Sequence, residues 1–172
     1  VLDLHVARRG TPLELLERGQ QLVPLEALVV HLFGHHAHEV GDDDLALTPG
    51  GEAPPLGVLF RELGETQGAY IDSFNTFELG PPRPCDIPGV EHSLDRIRSW
   101  YVRLDEELYA ALRTIPDEDV DRPVDRGNDN RLPVWIHLDV FREALIIFYR
   151  RFSVYLKAAR KPRPERFERW IG

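Results

Sequence analysis

The sequence is poor in cysteine, in long apolar runs and in targeting signals, and each of these absences excludes a class of protein. Cys85 is the only cysteine among 172 residues, so neither an internal disulfide nor a thiolate metal cluster can form. No apolar run approaches the roughly 18 residues that a membrane-spanning helix needs. No signal-peptide pattern opens the sequence. We therefore expect a cytoplasmic protein without a membrane partner.

The charge balance is acidic. Lys and Arg total 21 against 29 Asp and Glu, which gives a net charge of −8. No basic tract is long enough to bind phosphates along a strand, so we expect no nucleic-acid partner. Apolar residues make up 42% and charged residues 29%, which argues against a wholly disordered chain. A chain of this length is one domain and buries roughly 70% of its unfolded surface, so it needs no structural metal.

Three turn-rich stretches divide the chain. Residues 41–55, 80–88 and 116–133 are rich in Gly, Pro, Asp and Asn, which is typical of loops. The segments between them have helical periodicity. We find no convincing strand alternation and no internal repeat.

Two long helices have the clearest patterns. Residues 93–115 form one, with Ser93 as the expected N-cap and Pro116 after its end. Residues 134–159 form the other, and two adjacent apolar stripes indicate that it touches two neighbours. The apolar stripe of the first helix contains Leu94, Ile97, Tyr101, Leu104, Leu108, Ala111 and Ile115. The second helix has Leu138, Phe141, Leu145, Phe148, Phe152 and Tyr155 in one stripe, and Ile136, Val140, Ala144 and Ile147 in the other.

Two further helices are predicted over residues 56–77 and 23–39, with a shorter helix at 12–20. The helix at 56–77 is weakened by its glycines, each of which costs about 1 kcal/mol relative to Ala. Gly64 and Gly68 share one face of it, which would allow a neighbouring helix to approach closely.

Four amphipathic helices predict an all-α four-helix bundle, and the loops are long enough for a crossover connection. We expect a single domain over residues 1–172. A short segment at 1–21 begins it, and a tail at 160–172 packs on the bundle through Phe167 and Trp170.

Several histidines lie near the end of the predicted helix 23–39. His31, His35 and His38 fall within about 60° of one another on a helix. An i, i+4 pair of histidines can hold zinc. This trio points away from the apolar face, however, so a solvated helix end is the simpler interpretation. His36 differs, because it lies on the apolar face.

Two acidic residues and a histidine are the other candidates. Glu62 lies close to the apolar stripe of its helix, and Glu65 is expected nearer to solvent. A buried carboxylate needs a partner or a raised pKa. His137, Arg142 and Arg151 are candidate partners, either in a structural pair or around a functional carboxylate. We interpret His137 itself as a hydrogen-bonded core histidine.

Other catalytic signals are weak. Cys85 lies in a loop with no histidine beside it, so a nucleophilic role is not expected. The sequence has no Gly-rich phosphate loop, no nucleophile elbow and no H-E-x-x-H motif. Tyr70 and Trp100 are expected in the core and not at a ligand.

Three segments resemble the DinB/YfiT-like family. LFRELGETQGAYIDSFNTFE at 59–78 resembles its second helix, and IPDEDVDRPV at 115–124 resembles the turn after its third helix. The strongest resemblance is LPVWIHLDVFREALIIFYRRFSVYLKAARKP at 132–162, which is similar to the last long helix of the family.

The resemblance implies a four-helix bundle with a crossover connection, often dimeric. It also implies a metal held by three histidines, one from the second helix and two from an H-x-x-x-H on the last. Some members transfer low-molecular-weight thiols, and others isomerise or hydrolyse small molecules. In this sequence the three positions are Glu62, Ala144 and Phe148, so the resemblance implies a member without the metal site.

We therefore expect a degenerate, metal-free bundle with a small-molecule-binding or interaction role, forming a homodimer through an apolar helix face. No cofactor is predicted. The expected binding pocket is lined by Glu62, Thr66, His137, Phe141, Ala144 and Phe148.

The alternative is a small-molecule transferase, hydrolase or isomerase. It would use a divalent metal such as zinc or nickel, bound by His31, His35 and His36 or by a site rebuilt from His36, Glu62 and His137. In a metal-free form, Glu62 and His137 would act as an acid–base pair. An interaction module using the acidic loop 117–121 ranks last.

Overall fold

Three long α-helices make up most of the described structure. They are α1 (Leu56–Thr76), α2 (Leu94–Arg113) and α3 (Val134–Ala158). Each begins and ends within two residues of a helix predicted above, which confirms the all-α class at the coarse level. None of the described helices has both the length and the apolar character of a membrane-spanning helix.

The computed structural model describes residues 40–161. The helices predicted at 12–20 and 23–39, the histidines on the latter, and the tail with Phe167 and Trp170 lie outside the described residues.

Polar groups and prolines set the helix ends. Ser93 is the N-cap of α2, as predicted, and its side chain accepts a hydrogen bond from the Arg96 backbone N–H at 3.5 Å. The Asp42 carboxylate accepts a second bond from the Leu94 N–H at 2.8 Å. Pro133 precedes α3, where its lack of an N–H costs nothing. These contacts join the loops to the helices that follow them.

The loop at 116–133 contains regular structure that the sequence analysis did not predict. Strands β1 (Pro123–Asp125) and β2 (Arg131–Pro133) pair antiparallel, with Val124 opposite Leu132. The expectation that the chain contains no strands is therefore wrong for this loop. Three-residue strands are too short to show alternation, and the turn between them needs positive φ angles at Gly127, Asn128 and Asp129.

The core lies on both sides of α1, which packs against α2 and against α3. Every residue of the stripe predicted for α2 and of the first stripe predicted for α3 is buried. The second stripe of α3 behaves differently. Ile136, Val140 and Ala144 are half-buried, and Ile147 is 60% exposed. The part of the chain that the structure describes thus leaves one apolar face of α3 open.

Gly64 allows α1 and α2 to approach closely, as its position on the helix predicted. A Cβ atom built at Gly64 would lie 2.4 Å from the Trp100 ring. Gly68 faces the Arg83 side chain instead of a helix. The close approach therefore depends on one glycine, against a rigid ring that is itself only 3% exposed.

We expect Gly64→Ala to destabilise the protein by about 1–3 kcal/mol, because the overlap with Trp100 forces the helices apart. This outweighs the gain of about 1 kcal/mol that Ala brings to a helix interior. Urea unfolding measures the change. The control is Gly80→Ala, where nothing lies within 4 Å of the new Cβ and the effect should stay within about 0.5 kcal/mol. Equal stability of the two variants would contradict the interpretation.

Candidate functional site

His137 links α3, α1 and the hairpin through hydrogen bonds at both ring nitrogens. It lies in the first turn of α3 and its side chain is fully buried. Its Nε2 lies 2.7 Å from the Ser73 hydroxyl of α1. Its Nδ1 lies 2.7 Å from a terminal guanidinium nitrogen of Arg126, which follows β1 directly. The core histidine expected from the sequence is therefore fully hydrogen-bonded.

The partners fix the tautomer of this histidine. A guanidinium only donates hydrogen bonds, so Nδ1 must accept from Arg126 and carries no proton. The neutral ring then has its proton on Nε2 and donates to the Ser73 oxygen. The Ser73 hydroxyl in turn donates to the Tyr70 carbonyl at 2.6 Å. All three bonds run in one direction, from Arg126 towards α1.

This direction is the reverse of what an activated serine needs. A histidine that acts as general base must accept the hydroxyl proton, whereas His137 donates to Ser73. Burial and the Arg126 charge lower the pKa of His137 from 6.5 to about 4. The pair is therefore a neutral structural link and not a nucleophile with its base.

Aromatic rings enclose the histidine. Tyr70 stacks on it with ring centres 4.8 Å apart, and Phe74 meets it edge-on at 5.3 Å. Phe141, one turn further along α3, contacts Tyr70 at 4.8 Å. Tyr70 and Trp100 are both buried, as expected for core residues. The apolar walls explain why His137 stays uncharged.

Arg126 differs from the other partly buried arginines of the described chain. Its second terminal nitrogen donates to the Tyr70 hydroxyl at 3.4 Å, so both of its partners are neutral. No carboxylate of the described residues pairs with it. The remaining partly buried arginines each lie beside one; the pairs are Arg61–Glu91 at 3.2 Å, Arg83–Asp72 at 3.0 Å, Arg98–Asp95 at 3.2 Å and Arg142–Asp139 at 2.7 Å.

The two glutamates of α1 have the opposite placement to the one predicted. Glu62 is exposed, whereas the Glu65 side chain is only 23% exposed. Glu65 accepts a hydrogen bond from the Cys85 backbone N–H at 3.2 Å and pairs with Arg61 at 3.8 Å. The prediction failed because the 80–88 loop lies over Glu65 and contacts it through Cys85, which helical spacing does not show.

The residues of the predicted pocket differ in their surroundings. His137, Phe141 and Phe148 are buried in the core, and Phe148 packs on Phe60 at 5.6 Å. Thr66 donates to the Glu62 backbone carbonyl at 2.8 Å, at the surface of α1. Ala144 is half-buried.

Glu62 and His137 are far apart. His137 contacts Ser73, which lies about 16 Å along α1 from Glu62 at 1.5 Å per residue. Both ring nitrogens of His137 are occupied by other partners. The geometry therefore offers no acid–base pair between these two residues.

A metal does not fit the positions that the family resemblance implies. Ala144 has no ligand atom, and Phe148 is a buried ring packed on other rings. Among residues 40–161, no three His, Cys, Asp or Glu side chains are grouped so as to hold a metal ion. His31, His35 and His36 lie outside this range.

The Cys85 thiol has a raised pKa, chiefly because of burial. Its sulfur accepts from the Ile87 N–H at 3.4 Å. A thiol held in the protonated form is a poor nucleophile.

Sequence reasoning missed Arg126 and Ser73. The only available signal was the Gly-Asn-Asp-Asn turn between two short apolar stretches, which is typical of a hairpin. A hairpin at that place brings Arg126 towards the start of α3. Comparison with family models, with curated proteins and with solved structures found no match.

The protonation of His137 predicts how stability depends on pH. The unfolded chain binds a proton at this residue below about pH 6.5, whereas the folded protein stays neutral down to about pH 4. The contribution of neutral His137 to the free energy of unfolding is thus complete above pH 6.5. It falls by on the order of 3 kcal/mol as the pH drops towards 4. Urea unfolding between pH 7.5 and 4.5 measures this loss.

The control is His137→Gln, which cannot titrate and should lose less free energy over the same pH range. Carboxylates titrate in both proteins, so the difference isolates His137. An NMR titration of the imidazole checks the same point directly. A midpoint near pH 6.5 in the folded protein would contradict the prediction.

Proposed function

We propose that this chain is a DinB/YfiT-like four-helix bundle that binds, without a metal, a small molecule carrying an oxyanion at Arg126 and Tyr70. Residues 23–39 supply the fourth helix in this proposal. The three sequence segments quoted above support the family assignment. One observation supports the ligand class, namely a half-buried guanidinium that no carboxylate of the described residues neutralises.

The energetics favour an anionic partner. Moving a charge out of water is costly unless an opposite charge or hydrogen bonds compensate for it. His137 and Tyr70 provide two neutral acceptors for Arg126, and neither carries a negative charge. A bound carboxylate or phosphate would offset the remaining cost. The chain has a net charge of −8, and yet no carboxylate of the described residues pairs with Arg126.

The available donors suit an oxyanion. A guanidinium has five N–H groups in a planar fork, and the contacts to His137 and Tyr70 use two of them. The Tyr70 hydroxyl accepts from Arg126, and no residue of the described range accepts its proton. An oxyanion placed beside both groups would receive N–H and O–H donors together, and charge-assisted bonds of this kind are the stronger ones.

The role that we propose for this site is ligand binding, which requires no chemical reaction of its residues. The hydrogen bond to Nδ1 keeps His137 neutral and directs its remaining proton to Ser73. His137 therefore acts as a fixed hydrogen-bond acceptor that positions Arg126. The specificity for an oxyanion comes from the planar fork of N–H groups on the arginine. A carboxylate or phosphate ester of small size fits this chemistry.

We expect inorganic phosphate or succinate to raise the melting temperature in a saturable way, compared with sodium chloride at equal ionic strength. A ligand at 100 times its Kd adds about 2.7 kcal/mol, and each 1 kcal/mol raises Tm by about 2–4 °C in a domain of this size. Arg126→Gln should abolish the shift. Arg126→Lys should weaken it, because an ammonium lacks the fork.

The matched control is Arg131→Gln in the same hairpin, since Arg131 is 66% exposed and pairs with Asp125 at 3.2 Å. It should keep the full shift. Tyr70→Phe keeps the ring and removes one donor, so it tests the site if Arg126→Gln unfolds the protein. An equal rise of the melting temperature in sodium chloride would refute the proposal. A rise that remains in both Arg126→Gln and Tyr70→Phe would also refute it.

A further inference from the structure

His137 is hydrogen-bonded at both ring nitrogens, but protonation changes only one of the two bonds. At Nε2 the neutral and the charged ring both carry a proton, so both donate to the Ser73 hydroxyl at 2.7 Å. At Nδ1 the neutral ring accepts from Arg126 at 2.7 Å, whereas the charged ring carries its second proton there. Two donors then face each other across that distance. Protonation therefore breaks the contact with Arg126 and keeps the one with Ser73.

Among residues 40–161, no negative charge lies beside the ring. Tyr70 and Ser73 of α1 and Arg126 of the hairpin are the titratable or polar side chains that face it. The first two are neutral, and the guanidinium repels a charged ring. Burial and Arg126 accordingly hold the pKa of His137 at about 4. The site on its own disfavours the proton because it lacks an anion.

We propose that the site takes up an oxyanion and a proton together, with the proton on Nδ1 of His137 and the oxyanion between Nδ1 and the Arg126 guanidinium. This inference rests on the oxyanion site proposed above and names how that site is regulated. The oxygens of a carboxylate or sulfate only accept, so one anion joins two donors that repel each other in its absence. The apolar walls around the ring strengthen both charge-assisted bonds.

The hairpin leaves room for this rearrangement. Arg126 is half-buried, and the turn at 127–130 that follows it is exposed. The guanidinium can therefore move towards solvent as the anion enters. The bond from His137 to Ser73 stays in place during this step, so the ring keeps its orientation.

Proton and anion affect each other by the same factor, because the two binding equilibria are linked. A bound anion raises the pKa of His137, and a proton on His137 lowers the Kd of the anion. A rise of one unit in this pKa corresponds to a tenfold lower Kd for the protonated site. Above the raised pKa the ring is neutral in both states, and the anion is bound through Arg126 and Tyr70 alone.

Sulfate is the probe for this coupling, because it remains a dianion over the pH range used, whereas phosphate titrates within it. An NMR titration should show the His137 imidazole with a midpoint near pH 4 in sodium chloride. In saturating sulfate at equal ionic strength, the midpoint should rise above about pH 5. His92 is the internal control, since its side chain is 80% exposed and its midpoint should be equal in the two salts. An unchanged His137 midpoint in saturating sulfate would overturn the coupling.

Titration calorimetry measures the same linkage from the side of the anion. The Kd of sulfate should be at least about threefold lower at pH 5 than at pH 7.5, with proton uptake on binding at pH 5. His137→Gln cannot titrate and should lose this pH dependence. His92→Gln is the matched control and should keep it. Carboxylates titrate in all three proteins, so the difference between them isolates His137.

The outcomes separate the coupling from the oxyanion site itself. No sulfate binding at either pH would overturn the site, and the coupling with it. Binding with the same pH dependence in wild type and in His137→Gln would overturn the coupling alone. If His137→Gln does not fold, the imidazole midpoint of the wild-type protein with and without sulfate decides the question.

Discussion

The hydrogen bonds from Arg126 through His137 to Ser73 are the interaction on which the site depends. They connect the hairpin, α3 and α1, which are distant in the sequence. Because arginine can only donate, one contact decides the tautomer of His137, the direction of the Ser73 bond and the absence of a base at this place. The same contact leaves the guanidinium without a negative partner among residues 40–161. Structure and proposed ligand therefore follow from one pair of side chains.

Much of the fold was predictable, because the apolar periodicity of a long helix does not depend on the local structure of the loops around it. The stripe from Leu94 to Ile115 predicted both the extent of α2 and its buried face. Gly64 also followed from the sequence, since a glycine on the inward face of a helix indicates close packing. What pattern analysis determines well is which residues point inward on a long element.

The candidate site was harder to predict, because it depends on short and irregular segments. Arg126 lies in a turn whose direction is set by three residues with positive φ, and no periodicity marks such a place. The error at Glu62 and Glu65 has a related cause. Both lie outside the apolar stripe and about 60° apart around the helix, and the 80–88 loop covers Glu65. Loop paths are not encoded in helical spacing, so the prediction could not separate the two.

Two adjacent faces of α3 have different surroundings. His137, Phe141 and Phe148 face inward, where rings and hydrogen bonds fix their positions. Val140 and Ile147 lie on the more exposed face, about 60–120° around the helix from that inward set. A substitution at Ile147, nearly three turns from His137, should therefore leave the contact between His137 and Arg126 in place.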